Sequence, residues 1–348
     1  MAYTTIDNPE LYFQTKLYTG NGSSRSITFD GDEDMQPDWC WFKARSQAYN
    51  HALFDSVRGT TKLIRSNQTT AEETHSTTLT AFNSNGFSLG GGDAFTNANS
   101  VTYASWNWKA GGSASSNSNG DITSSVSANT TAGFSIVSYT GTGSAATVGH
   151  GLGVAPKLII IKNRSSAESW RVYHNALGAT KEIYLDLTAS AGTSSSSFND
   201  TEPTSSVFSV GTGNGTNKSS ENLIAYCFSE VKSFSKFGSF TGNGNDDGPF
   251  VYTGFEPAWL LTKNASSSSE WHIYDNKRVT FNPNDNVLSP NANYADSINA
   301  NCNTDFLSNG FKLRNSNSNR NENGSTHIYM AFAESPFINS NRIPNNAR

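Results

Sequence analysis

The chain carries little charge. Asp, Glu, Lys and Arg together make up 15% of its 348 residues, against about a quarter in an ordinary globular domain. Their sum is −5, which argues against nucleic-acid binding, because that needs a basic face. Cysteine is scarce too, and three thiols cannot all pair within one chain. Cys40 and Cys227 fall inside strand patterns and only Cys302 looks loop-borne, so we expect reduced synthesis in a cytoplasm and no disulfide framework. No apolar run approaches the length of a membrane span, and no membrane insertion is expected. Met1 to Pro9 lacks the basic and apolar regions of a secretory signal. No long amphipathic helix is visible. Low charge with abundant Ser, Asn, Thr and Gly would suit disorder, but seven Trp, thirteen Tyr and twenty-one Phe are too much apolar material for that.

What is present is a repeated block. Pro156-Lys157-Leu158-Ile159-Ile160-Ile161-Lys162-Asn163 has four consecutive apolar residues between a proline and a polar turn, the pattern of a short strand buried on both faces. Pro37-Asp38-Trp39-Cys40-Trp41-Phe42-Lys43 and Pro257-Ala258-Trp259-Leu260-Leu261-Thr262-Lys263-Asn264 repeat it. Each time a lysine follows the proline by six residues, and an aromatic (Phe54, Tyr173 or Tyr274) follows the lysine by eleven. Upstream of each block stands a glycine turn: Thr19-Gly20-Asn21-Gly22, Thr140-Gly141-Thr142-Gly143 and Thr241-Gly242-Asn243-Gly244. Downstream comes an alternating strand: Ala104, Trp106, Trp108; Ile224, Tyr226, Phe228; Ile328, Met330, Phe332. Alternate residues share a sheet face, so each of these strands offers an apolar face to a core.

The order is the same three times, and it predicts an all-β chain of three tandem β-sandwich domains of the jelly-roll or lectin-like kind. The expected organisation is an N-terminal arm over 1–14, a first repeat over 15–111, a Gly/Ser/Asn linker over 112–132, a second repeat over 133–236, a third over 237–337 and a polar tail over 338–348. Within the second repeat, Ile183, Leu185 and Leu187 alternate with polar neighbours as a half-buried strand does.

Candidate chemistry is sparse. Asp30, Asp32 and Asp34 alternate and offer a loose cation site, but Met35 and Trp41 stand where an EF-hand needs Gly and Glu. The glycine turns carry no P-loop lysine and open no helix, so they read as chain reversals. His51, His75, His150, His174, His272 and His327 have no metal-ligand spacing. Glu230 and Glu334 occupy matching places but in different repeats, which argues against a shared glycosidase cleft. Trp170 and Trp271, each eight residues beyond the repeated lysine, are the candidate glycan-stacking platforms, weighed against a place in the sandwich core, which the pattern favours. No cofactor and no catalytic set is expected.

Ser235-Lys236-Phe237-Gly238-Ser239-Phe240-Thr241-Gly242-Asn243-Gly244 with Gly248-Pro249-Phe250-Val251-Tyr252-Thr253-Gly254-Phe255 resembles the repeat of virion proteins of tailed phages, particularly marine ones. Asp305 to Leu313, the ending Met330-Ala331-Phe332-Ala333-Glu334-Ser335-Pro336-Phe337, and the closing Asn345-Asn346-Ala347-Arg348 are similar as well. The resemblance is close over the second and third repeats and looser over the first, where Trp39-Cys40-Trp41-Phe42 replaces an aliphatic strand. It implies a non-enzymatic virion structural protein, tail-fibre-like or tail-associated, assembled in the host cytoplasm. The expected partners are other virion proteins and further copies of the chain. A capsid decoration protein and an adhesin for host-surface glycan remain the alternatives.

Overall fold

The computed structural model describes residues 4–344. Residues 1–3 and Asn345–Arg348, the last segment quoted for the resemblance, lie outside the described residues. The chain is all-β, with antiparallel sheets and helices of only four residues.

Only the strands of the principal sheets are numbered here, along the chain. In the first sheet β1 is Phe13–Thr19, β2 Trp39–Ala44, β3 Ala52–Asp55 and β4 Thr102–Trp108, in the order β1-β4-β2-β3. Next come β5 (Ser124–Asn129), β6 (Phe134–Thr140), β7 (Leu158–Asn163), β8 (Arg171–His174) and β9 (Asn222–Phe228). Their order is β5-β6-β9-β7-β8 within a longer sheet. The last set is β10 (Ser235–Thr241), β11 (Phe255–Asn264), β12 (Trp271–Asp275) and β13 (Thr326–Pro336), ordered β10-β13-β11-β12. All three sheets therefore run first strand, last strand, lysine strand, following strand. Lys43, Lys162 and Lys263 are each the last residue but one of the lysine strand. The first and third sheets open at Phe13 and Ser235, two residues before the expected boundaries.

Each lysine strand is buried along its whole length, and in the first two sheets it faces two separate cores. In the first sheet Trp39 and Trp41 point into one apolar cluster, while Cys40 and Phe42 point into another. In the second, Leu158 and Ile160 join the cluster of Trp39, and Ile159 and Ile161 do not. Period-two alternation thus divides an unbroken apolar run between two interiors. The separate interiors are closed by small outer sheets, Arg25–Ile27 with Gly86–Leu89 and Leu79–Asn83 in the first case, Ala146–Gly149 with Val207–Val210 in the second.

The shared interior joins all three sheets. Trp39 stacks on Tyr226 at 4.4 Å, Trp108 meets Trp259 edge-on at 5.4 Å, and Phe228 meets Phe332 at 6.0 Å. The expectation of tandem sandwiches needs one amendment here. The sheets do not stand as separate domains but turn their inner faces to a common aromatic core.

Three expected segments differ. The Gly/Ser/Asn stretch 112–132 is not a linker: Ser115–Asn117 and β5 form strands, and β5 pairs along β6 in the register Val126↔Val137. Serine and asparagine alternating with Val126 and Ala128 suffice for this strand, second from the end of its sheet, since only one face needs apolar side chains. Of the arm expected over 1–14, the described residues are tied down as well, with Ile6 and Phe13 buried in the shared core. The strand expected at Ile183 is shorter, Lys181–Tyr184, and leaves Leu187 exposed.

A shared core predicts one cooperative unfolding event. Trp108→Ala, which removes an indole in contact with Phe13, Trp39 and Trp259, should cost about 3–5 kcal/mol. Scanning calorimetry should show a single transition moved down as a whole. Three transitions, with only one displaced, would mean that the sheets fold independently.

Candidate functional site at the junctions between the sheets

Where the three sheets meet, buried polar groups are paired across the joints in a repeating way. The residue eight beyond each repeated lysine donates to a carbonyl of the neighbouring segment. Trp170 Nε1 donates to Arg65 O at 2.9 Å and Trp271 Nε1 to Tyr184 O at 2.8 Å. At the matching place in the first sheet is His51, whose Nε2 donates to Ser289 O at 2.9 Å while Nδ1 accepts from Trp41 Nε1. Trp170 is fully buried and Trp271 is 2% exposed, so neither offers a ring face to a sugar, and both lie in the core as the pattern favoured.

Two of the three lysines are cross-braces, and Lys43 bonds, among the described residues, only within its own repeat. Lys162 Nζ donates to Asn163 O at 2.7 Å, Glu168 O at 2.9 Å and, across the joint, Thr69 O at 3.0 Å. Lys263 Nζ donates to Asn264 O at 2.6 Å and reaches Thr188 O at 3.2 Å. Lys43 Nζ donates to Ala44 O at 2.6 Å. Burial pulls Lys43 down to about 7 and Lys162 and Lys263 to about 8. A compact ammonium with three donors suits a site walled by carbonyls.

The third device is ionic, and it occurs at two joints of three. Asp55 Oδ2 accepts from Tyr226 OH of the second sheet at 2.7 Å and pairs with Arg58 Nε. Arg58 Nη1 reaches Glu72 Oε2 at 3.2 Å, and Glu72 holds Arg164 Nε of the next sheet at 2.9 Å. Burial alone would pull the Arg58 guanidinium down, but Asp55, Tyr226 and Glu72 raise it well above its ordinary value. The joint between the third and first sheets repeats this. Asp275 Oδ2 accepts from Trp106 Nε1 at 3.0 Å and from Arg278 Nε at 2.5 Å; Arg278 Nη1 reaches Asp296 at 3.0 Å, and Asp296 holds Arg45 Nε at 2.9 Å.

The joint between the second and third sheets has no ions in these places. The residue matching Tyr226 and Trp106 is Met330, which pairs with Leu261 as they pair with Ile160 and Trp41. Methionine has no proton to donate, and a buried carboxylate opposite it would be unsatisfied. His174 stands there instead, neutral, with Nε2 donating to Tyr329 O at 3.1 Å. Burial brings it down to about 4. The arginines and bridging acid are replaced by Leu177, Ala191 and Ala265, and only the backbone bond Ala191 N to Ala265 O, 2.9 Å, survives, matching Glu72 N to Arg164 O.

The remaining expected site residues are not brought together. Asp30 pairs with Lys16, Asp34 accepts from Asn85 Nδ2 at 2.7 Å, and Asp32 lies beside Glu10 through its backbone N–H. Among the described residues no group of three metal-ligating side chains converges. Glu230 and Glu334 pair with Lys236 and Lys277. The glycine turns are places of close approach. A Cβ on Gly20, Gly141 or Gly242 would fall 2.2–2.3 Å from a carbonyl oxygen of Ala98, Lys218 or Glu322. Buried Asn97, Asn217 and Asn321 hold these turns by accepting from Asn21, Thr142 and Asn243 N–H. Sequence reading missed these asparagines, although each stands five residues before the last strand of its sheet.

Residues 8–336 match the family described as "Domain of unknown function (DUF7483)". The chain belongs to that family. No curated protein and no solved structure matches it. The match extends from the entry to β1 through the end of β13, so the family domain contains all three sheets and every joint between them.

Two outcomes follow. Arg58→Met leaves the buried Asp55 without its cation, while Glu72 keeps Arg164, and should cost about 3–5 kcal/mol, whereas Leu177→Met at the matching place should cost less than about 1.5 kcal/mol; urea titration measures both. The second concerns acid. His174 takes a proton near pH 4 when folded and near pH 6.5 when unfolded. The unfolded chain thus binds more protons between those values, and stability is full above pH 6.5 and is lost as pH falls towards 4. The loss from His174 is about 3 kcal/mol; melting followed from pH 7 to 4 should show it, and His174→Asn should flatten the slope.

Proposed function

We propose that the chain is a non-enzymatic structural protein of a tailed-phage particle, tail-fibre-like or tail-associated and present in several copies. The observation that carries this reading is the set of joints. Three sheets braced across every interface by buried hydrogen bonds make one stiff body, as a part that bears on its neighbours requires. The resemblance of the second and third repeats to tailed-phage virion proteins supports the same reading, as does a surface poor in charge. The three sheets are, on this view, copies of one ancestral unit.

A specific observation favours the adhesin as the second reading. Phe250 and Phe281 are 45% and 84% exposed in the third sandwich, and exposed aromatic faces stack on sugars. Immunogold labelling of purified particles tests the first reading. Label on the tail is the expected result. Label on the capsid shell would assign the chain to decoration, and its absence from particles would remove the virion role. For the adhesin, Phe281→Ala should leave melting within about 0.5 kcal/mol and abolish binding to host polysaccharide.

A further inference from the structure

Among the described residues, the first sheet ends in an unpaired strand where the second does not. β1 bonds β4 through its even-numbered residues: Lys109 N donates to Tyr12 O at 3.0 Å and Gly20 N to Val101 O at 2.8 Å, in the register Phe13↔Trp108. The backbone groups of Phe13, Thr15 and Leu17 therefore point away from the sheet. In the second sheet the matching residues are Phe134, Ile136 and Ser138, because Phe134 pairs with Phe228 as Phe13 does with Trp108. There the edge is covered. β5 lies along it in the register Asn129↔Phe134, Ser127↔Ile136 and Ser125↔Ser138. The chain itself thus shows what fits this kind of edge: an extended strand of small residues, Ser-Ser-Val-Ser-Ala-Asn.

The open edge of β1 gives onto a groove whose far wall belongs to the third sheet, with Ala258, Lys277 and Glu334. Glu10 and Asp30 also line it. Asp30 is paired with Lys16, and Glu334 lies 3.5 Å from Lys277, but Glu10 faces only the backbone N–H of Asp32, at 2.9 Å, and has no cation beside it among the described residues. Two copies joined edge to edge would set these carboxylates against their own images. A strand carrying lysine or arginine meets them with opposite charge.

We propose that the β1 edge, Phe13 to Leu17, is a docking slot for an extended, small-residue strand bearing a basic side chain and supplied by a different protein, added to the first sheet as β5 is added to the second. The slot holds whatever body the protein serves in, so it stands apart from the virion reading. The probe is a synthetic peptide with the sequence of residues 122–130 and a lysine at each end, titrated into the isotope-labelled full chain. Saturable amide shifts and slowed exchange at Phe13, Thr15 and Leu17 are expected. Thr15→Pro removes an outward N–H that β4 does not use, so melting should hold while affinity falls about tenfold. Where the proline variant fails to fold, the pair Glu10→Lys and Glu334→Lys serves. It should weaken the lysine peptide about tenfold and leave a serine-flanked version unchanged. Absence of saturable shifts, shifts centred elsewhere, or unchanged affinity in the folded variants would overturn the slot. Self-association of the free chain that Thr15→Pro abolishes would overturn the foreign strand and give the edge to a second copy.

Discussion

The structure depends on three sheets facing one another across a buried aromatic core. Tyr226, Trp106 and the indoles of Trp170 and Trp271 bring polar hydrogens into that interior, where each needs an acceptor. The acceptors come from the neighbouring sheet in every case: Asp55 for Tyr226, Asp275 for Trp106, Arg65 O for Trp170 and Tyr184 O for Trp271. Burial of aromatic rings supplies the driving force, but it is non-directional. The crossed hydrogen bonds fix which sheet lies beside which.

The one joint without ions shows how strictly this constraint acts. Met330 replaces a donor, and with it go the carboxylate, the guanidinium beneath it, the bridging acid and the last arginine, in favour of His174, Leu177, Ala191 and Ala265. Each substitution is costly alone. A carboxylate without its arginine or donor is an uncompensated charge, and an arginine without its acid is another. Changed together they leave, in place of the ionic set, only the imidazole-to-carbonyl bond and a backbone bond, beside the indole and lysine bonds that this joint of the second and third sheets keeps. A buried ionic set of this kind adds little net stability over a well-packed apolar one, so the two solutions coexist within one molecule.

Much of this was legible in the sequence. The lysine strands, the alternating last strands and the glycine turns come from period-two patterning and from glycine, which are local signals. The joints were not legible, because Asp55, Arg58 and Glu72 find partners far along the chain and no single-site pattern marks them. The offset of three residues between Asp55 and Arg58, repeated at Asp275 and Arg278, was the available clue, and its loss at His174 and Leu177 hid it. β5 was misread for a different reason. Its Ser, Asn and Thr resemble a linker, yet a strand near the end of a sheet needs apolar side chains on one face only, and Val126 with Ala128 suffices.

The same edge-strand chemistry bears on how the molecule meets others. Its interior is closed by mutual bracing, so a partner gains nothing by entering the joints. The outer faces carry few charges, and surface ion pairs such as Lys236 with Glu230 contribute little. What the body does expose in an ordered row is unpaired backbone at the ends of its sheets. Such groups are satisfied by water in the free protein and by a strand in a complex, without any rearrangement of the core. On the proposal made above, a body braced at its centre and left unsatisfied at a sheet edge would join a partner through its backbone, with side chains such as Glu10 and Glu334 deciding which strand is accepted.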